Sequence, residues 1–322
     1  MGVKAIQKNK YQMSSPTVHI LLATYNGENY LQQQLASIHN QTYSKWTLTV
    51  SDDGSTDKTL TIIENFREEV QQQVTILKGP NQGSSTINFF HLINHTLSNN
   101  SEDLYAFCDQ DDVWFDYKLM RAVNFHKENC NNPMRLYCSR TKYVDKNLEY
   151  LGLSPDIHYS PCFNNAIIQN IASGNTMVLS RETLIALQNV KPKNSIWHDW
   201  TTYLVVTALG GQVFFDKQPS LLYRQHSNNV IGANTGLKSQ IKRIKPLLEG
   251  RFSQWLDANM EAIKDLRKPP TQEALDTCLR FEQLRRADSS WQRLYQWLKC
   301  DIRRQTLTGN LSLAIAIFLN LC

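Results

Sequence analysis

From Thr17 onward, short apolar and β-branched runs alternate with polar turns and with stretches whose apolar positions recur every three or four residues. The run TVHILLAT at 17–24 leads through Tyr25-Asn26-Gly27 to Leu31, Leu35 and Ile38 at helical spacing. Trp46–Val50 precedes Asp52-Asp53-Gly54-Ser55, after which Leu60, Ile63 and Phe66 repeat with helical period. A third cycle passes from Val74–Leu77 through Gly79-Pro80-Asn81-Gln82-Gly83 to Phe89, Phe90 and Leu97. A fourth strand over Leu104–Cys108 runs straight into Asp109-Gln110-Asp111-Asp112. Strands alternating with helices predict parallel βαβ units with right-handed crossovers, whose polar loops gather at the carboxyl ends of the strands, where such sheets bind ligands. Beyond residue 130 the alternation breaks into the shorter segments Leu136–Val144, Asn175–Leu179 and Val213–Asp216, as expected where a second substrate is handled. From about residue 238 the pattern is helical and basic.

A chain of 322 residues can bury one large core or two modest ones. Its net charge of +5 is uneven: residues 1–237 carry 19 basic and 20 acidic groups, residues 238–304 carry 15 and 9. The division predicts a polar tail at 1–16, a catalytic domain at 17–237 and a helical, basic region at 238–322. None of the seven cysteines lies in a Cys-x-x-Cys pair, which fits a reducing, cytoplasmic compartment. The N-terminal stretch lacks the apolar centre of a secretory signal, so the catalytic part is expected to stay where it is made.

Three carboxylates in Asp109-Gln110-Asp111-Asp112 at one strand end repel one another unless a cation intervenes. Magnesium or manganese would resolve that conflict and bridge to substrate phosphates. Taken alone, the same residues serve equally as a solvated acidic turn or as a helix N-cap near Asp116. Asp52 and Asp53 could hydrogen-bond a base edge or ribose hydroxyls, or simply form a turn with Ser55 or Thr56 capping the next helix. Tyr25 offers a face for a nucleobase, or for packing. In Trp197-His198-Asp199-Trp200 a carboxylate flanked by aromatics suits a general base for a sugar hydroxyl, or a helix N-cap between packing tryptophans. Tyr223-Arg224-Gln225-His226 adds a cation for phosphate and an imidazole for metal or phosphate. The turn at 79–83 lacks a P-loop lysine and no Gly-x-Gly-x-x-Gly follows the first strand, so phosphate recognition falls to metal and side chains.

Assembled, these residues resemble the family 2 glycosyltransferases of the GT-A fold, especially bacterial rhamnosyltransferase-like members, over roughly 17–230. The carriers are ATYNGENYLQQQLASIHNQTY, VSDDGSTDKT, FCDQDDVW, SGNTMVLSR at 173–181, the His198-Asp199 pair and YRQHSNNVIG at 223–232. The resemblance implies an α/β fold, a Rossmann-like mixed sheet flanked by helices. It also implies a nucleotide and donor site at Thr24, Tyr25, Asn26, Asp52, Asp53, Asp109, Gln110 and Asp111, with Tyr25 and Asp53 on the base. Asp109-Gln110-Asp111 is similar to the family's DxD motif, with Asp111, Asp109 and His226 toward a divalent metal, Mn or Mg, and Arg224 toward the diphosphate. Asp199 matches the catalytic base. Trp114, Asn175, Thr176, Trp197 and His198 would border sugar and acceptor. The Gln-x-x-Arg-Trp motif and multi-span region of processive synthases are missing, which implies one sugar added per encounter.

These expectations give an inverting transfer of a sugar, first of all L-rhamnose from dTDP-L-rhamnose, to a lipid-linked or polysaccharide acceptor of O-antigen or capsule type. A UDP-hexose donor or an inactive nucleotide-sugar-binding scaffold are the alternatives, and a pyrophosphorylase is disfavoured for want of its Gly-rich basic loop. Arginines and tryptophans between 280 and 304 have the composition of an interfacial helix, predicting a peripheral protein on the inner face of the cytoplasmic membrane, against anionic lipid, or of a helical cap on the catalytic domain whose charges are merely solvated. Leu311–Leu319 is shorter than the ~20 residues needed to span, leaving a dip into lipid, packing or a homodimer contact open. No nucleic-acid module accompanies the basic stretch, so nucleic acid is not an expected partner.

Overall fold

A computed structural model of the chain describes residues 15–101, 103–226 and 250–322. Most of the predicted N-terminal tail, the end of the YRQHSNNVIG block and the 237/238 boundary lie outside these residues.

Three successive βαβ units open the chain: β1 (Val18–Thr24), α1 (Leu31–His39), β2 (Trp46–Asp52), α2 (Thr59–Glu69), β3 (Val74–Lys78), α3 (Ser85–His95) and β4 (Leu104–Cys108). Next come β5 (Val113–Trp114), α4 (Lys118–Glu128), β6 (Arg135–Ser139), β7 (Lys142–Val144), β8 (Tyr150–Leu153), α5 (Phe163–Ala166), β9 (Val178–Ser180) and α6 (Arg181–Leu187). α7 (His198–Ala208), β10 (Gln212–Asp216) and β11 (Leu221–Arg224) complete the first part. Four helices follow residue 250: α8 (Arg251–Lys264), α9 (Gln272–Arg286), α10 (Ser290–Cys300) and α11 (Leu307–Phe318).

The large sheet runs β10-β6-β9-β4-β1-β2-β3. Only β9 is antiparallel to its neighbours, β4 and β6. The expected segment at 136–144 is two strands: β6 pairs β10 in the large sheet, while β7 joins a second sheet, β5-β11-β7-β8. β1 reads as one apolar run because both faces are covered: Val18, Ile20 and Leu22 enter one core, and Leu21 the other.

The helices beyond residue 250 are not a separate globule. Phe252, Leu256, Phe281, Leu284, Ile302, Leu313 and Ile317 share a core with Phe163, Tyr203 and Leu204. Among the described residues no helix is long and apolar enough to cross a membrane. The lipid-facing role expected of the arginines at 280–304 is corrected for several of them. Arg285 pairs with Asp257 at 2.6 Å, and Arg293 is buried, donating to the carbonyls of Ile317 (3.0 Å) and Phe318 (3.2 Å) at the end of α11. A cation there satisfies carbonyls that a helix end leaves unbonded. Arg303 packs on Tyr159 and Arg304 on Phe252, with ring distances of 4.9 and 5.0 Å.

Candidate active site

The loops after β1, β2 and β4 meet at the carboxyl edge of the large sheet and are stitched together there. Gln110 brackets the Tyr25 backbone, accepting from its N–H at 2.9 Å and donating to its carbonyl at 3.0 Å. Gly27 lies so close that a Cβ would come within 2.4 Å of Gln110 Oε1. Asn26, at φ 47°, donates its N–H to Ser55 Oγ (2.8 Å) and accepts from Thr56 N–H (2.9 Å). The backbone under Tyr25 is thus fixed, while its side chain is 52% exposed.

Asp52 and Asp53 are both buried and serve these loops. Asp52 accepts from Thr24 Oγ1 (3.0 Å), Ser55 Oγ (2.6 Å) and Ser55 N–H (2.9 Å). Asp53 accepts from the N–H groups of Asn81 (2.6 Å) and Gly83 (2.8 Å), carrying the turn after β3. Neither Ser55 nor Thr56 caps α2, whose N-cap is Lys58.

The acidic cluster divides by burial. Asp112 is fully buried, accepting from Asn175 Nδ2 (2.6 Å) and the Arg224 N–H (3.3 Å), so it locks β4 to the 173–176 loop and β11. Burial, then Asp111 and Asp109, push its carboxyl up. Asp109 rises to about 7 through burial, then through Asp111 and Asp199. The 173–176 loop brings Asp109 and Asp199, ninety residues apart in sequence, within reach of each other's charge, Gly174 donating to Asp199 and Asn175 to Asp112. Asp111 is partly exposed and bonds His226 Nε2 at 2.8 Å. Tyr30 stacks on the His226 ring at 5.0 Å and lies under the Arg224 guanidinium at 4.6 Å.

Arg224 does not stand free for a diphosphate. Its side chain is buried and donates to the carbonyls of Asp111 (2.9 Å) and Lys146 (2.7 Å) and to Gln33 Oε1 (2.5 Å), clamping the loop that carries Asp111. Trp114, Asn175 and Thr176 are also buried, beneath the site rather than lining an open pocket. Asn175 holds Asp112 and receives Ser173 Oγ at 2.7 Å, and Thr176 Oγ1 donates to Ser173 O at 2.7 Å.

Asp199 sits inside the first turn of α7, whose N-cap is Trp197, so the N-cap alternative does not describe it. Its carboxylate accepts from Trp200 N–H (2.6 Å) and Gly174 N–H (3.2 Å). Burial nevertheless lifts its pKa to about 6. Close approach of the 173–176 loop requires Gly174, since a Cβ there would come within 2.6 Å of His198 Nε2. His198 is held down to about 3 by burial and stacks on Phe89 at 3.8 Å, so it packs as a neutral ring. Trp197 stacks on Trp200 (5.8 Å) and meets Trp255 at a tilt (4.8 Å).

Sequence reasoning passed over Lys118, the first residue of α4. It is fully buried, donates to Asn175 O and lies 3.5 Å from the Trp114 ring centroid. Burial pulls its pKa down to about 7 against the attraction of Cys108, Asp112 and Asp109. Lys118→Met should leave the Asn175 carbonyl unbonded and the carboxylates without their cation, costing at least about 1–3 kcal/mol. Urea unfolding at neutral pH checks this; an unchanged midpoint would refute the buried-cation role.

Loops carrying carboxylates at the carboxyl edge of a mixed, helix-flanked sheet fit a fold of the GT-A type, and comparison with known proteins agrees. Residues 19–178 match the family described as Glycosyl transferase family 2. The chain is 34% identical to the dTDP-rhamnosyl transferase RfbG of Shigella flexneri over 236 residues, 69% of this chain and 78% of that protein. It belongs to the family 2 glycosyltransferases. Among solved structures, S. aureus TarS 1-349 superposes with a TM-score of 0.56 at 16% identity, covering 89% of this chain and 80% of that one. The Pyrobaculum calidifontis mannosyltransferase PcManGT, solved with GDP-Man and Mn2+, gives 0.51 at 17%, covering 96% and 82%. At such identities the likeness establishes the fold.

Proposed function

We propose that the chain is an inverting, metal-dependent glycosyltransferase that moves one L-rhamnose per encounter from dTDP-L-rhamnose to a hydroxyl of a lipid-linked or polysaccharide acceptor in cell-surface glycan assembly. In this reading the protein works peripherally, on the inner face of the cytoplasmic membrane. The observation that carries this reading is the meeting of Asp199, its pKa raised to about 6, with Asp109 and Asp111 at one sheet edge. The donor assignment is supported by the name of the 34% identical relative.

The nucleobase stacks on exposed Tyr25, beside the loops that Asp52 and Asp53 hold. The acceptor hydroxyl gives its proton to an Asp199 oxygen as its own oxygen attacks the anomeric carbon from the face opposite the diphosphate. The anomeric C–O bond breaks and its electron pair leaves with the diphosphate, so configuration inverts without a covalent enzyme intermediate. A raised carboxyl pKa brings the base closer to working pH.

Among the described residues no three His, Cys, Asp or Glu side chains are grouped to enclose a metal ion. The Asp111–His226 pair with Asp109 nearby fits a partial set of oxygen and nitrogen ligands, and magnesium or manganese completes such a set with substrate phosphates and water. The carboxylate repulsion that raises Asp109 is the kind of conflict a cation relieves. When bound, the metal supplies positive charge to the departing diphosphate.

The experiment is a donor panel with Mn or Mg, scoring nucleotide diphosphate release with and without a lipid-linked acceptor. Release from dTDP-L-rhamnose supports the reading; preference for a UDP-hexose overturns the sugar, and no turnover of any donor favours the inactive scaffold. A pH profile adds a second check. Asp199 works as the carboxylate, so kcat should fall about tenfold per pH unit below about 6 as the base is protonated. A rate independent of pH down to the ordinary carboxylate range contradicts the assignment.

A further inference from the structure

The helices beyond residue 250 turn one apolar side to the core and leave a second one uncovered. On α10, Trp291, Tyr295 and Leu298 recur at helical spacing and are all exposed, Trp291 by 75% and Leu298 by 76%. On α11, Leu307, Leu311, Ile315 and Phe318 do the same, with Leu307 82% exposed. Trp291 at the start of α10 meets Phe318 at the end of α11, ring centroids 5.7 Å apart, and residues 301–306 join the other ends. The helices therefore form an antiparallel hairpin whose two stripes lie side by side. Soluble monomers rarely leave a contiguous apolar face of this kind.

The geometry points to the outer face of the α10–α11 hairpin as a docking surface for a lipid bilayer, entered chiefly by apolar side chains rather than by a basic patch. Charge selects this occupant. Neither helix carries a carboxylate, α11 carries no charge at all, and Lys299, at the end of α10, holds its ammonium 4.3 Å from the Tyr295 ring centroid. Exposed Arg280 reaches the carbonyl of Lys299 at 3.4 Å, placing a second cation at the same rim. Tryptophan and tyrosine beside a lysine with a long apolar stem are the side chains that settle at the boundary of headgroups and acyl chains. Two of the arginines that could have made the contact electrostatic are engaged by the protein itself: Arg293 is buried and caps α11, and Arg285 pairs with Asp257. Because the inner faces share the catalytic core, docking fixes the sheet edge relative to the membrane.

This inference rests on the proposal that the protein works at a membrane, and its flotation readout needs neither donor nor acceptor. The full chain is floated with vesicles of phosphatidylcholine alone and mixed with phosphatidylglycerol, at low and high salt. It should float with both, with binding retained in high salt. The exposed triple variant Leu298→Gln, Leu311→Gln, Ile315→Gln should lower the partition coefficient at least about tenfold while donor turnover in solution is unchanged. Should that variant fold poorly, brominated acyl chains decide: they should quench the wild-type fluorescence that Trp291→Phe removes. Failure to float, absence of that quenching, or binding that needs anionic lipid and vanishes in salt overturns the inference. So does a wild-type dimer that ignores vesicles and becomes monomeric in the triple variant, which would assign the face to a second copy. Donor turnover without flotation overturns this surface alone, whereas flotation without turnover of any donor sinks the transferase reading.

Discussion

Asp199→Asn should bind donor and metal as the wild type does and transfer sugar about 10²–10⁴-fold more slowly, the range that general-base assistance contributes. The amide retains a carbonyl oxygen to accept from Trp200 or Gly174, so the first turn of α7 keeps its shape. What it lacks is the lone pair of sufficient basicity to take the acceptor's proton. The loss should therefore fall on kcat, with donor affinity measured by calorimetry close to unchanged. An Asp199→Asn protein that transfers at near wild-type rate, or whose defect lies wholly in donor affinity, removes the base.

Asp111→Asn should fail differently. It takes away charge next to Asp109, whose rise to about 7 has Asp111 as its second cause, and it weakens the contact with His226. Donor affinity in the presence of manganese and kcat should both drop, with kcat/KM lower by at least about 10²-fold, the scale of one lost electrostatic contact to a charged transition state. Added metal should restore little. If kcat alone changes, or if the chelated wild type is fully active, the acidic pair does not hold the donor through a cation.

β1 and β4 were legible because burial on both faces makes each a nearly continuous apolar run, and the loops follow from that register. β5 was not, since a strand of two residues exists only through its pairing with β11, a hundred residues away. The run at 136–144 holds two strands, broken where Ser139, Arg140 and Thr141 interrupt its apolar residues; Arg140, bonded to Ser154 O at 2.9 Å, sits at the point where the chain leaves one sheet for the other. At the site, the resemblance implied that these loops share one site, and the structure holds His226 on Asp111 and Asp109 within the influence of Asp199. Residue types did not foretell depth. Arg224, Asn175 and Asp112 look like ligands in sequence, yet burial turns them into bracing, and Lys118 reads as a surface lysine until Asn175 and the Trp114 ring close over it. In the C-terminal helices the aromatic and basic composition was visible, but which arginines faced outward depended on carbonyls contributed by α11.

The central claim is a single displacement assisted by Asp199, and product stereochemistry tests it most directly. Proton NMR of the first sugar product, recorded before mutarotation where water is the acceptor, should show an anomeric configuration opposite to that of the donor. Retention of the donor's configuration would contradict the account.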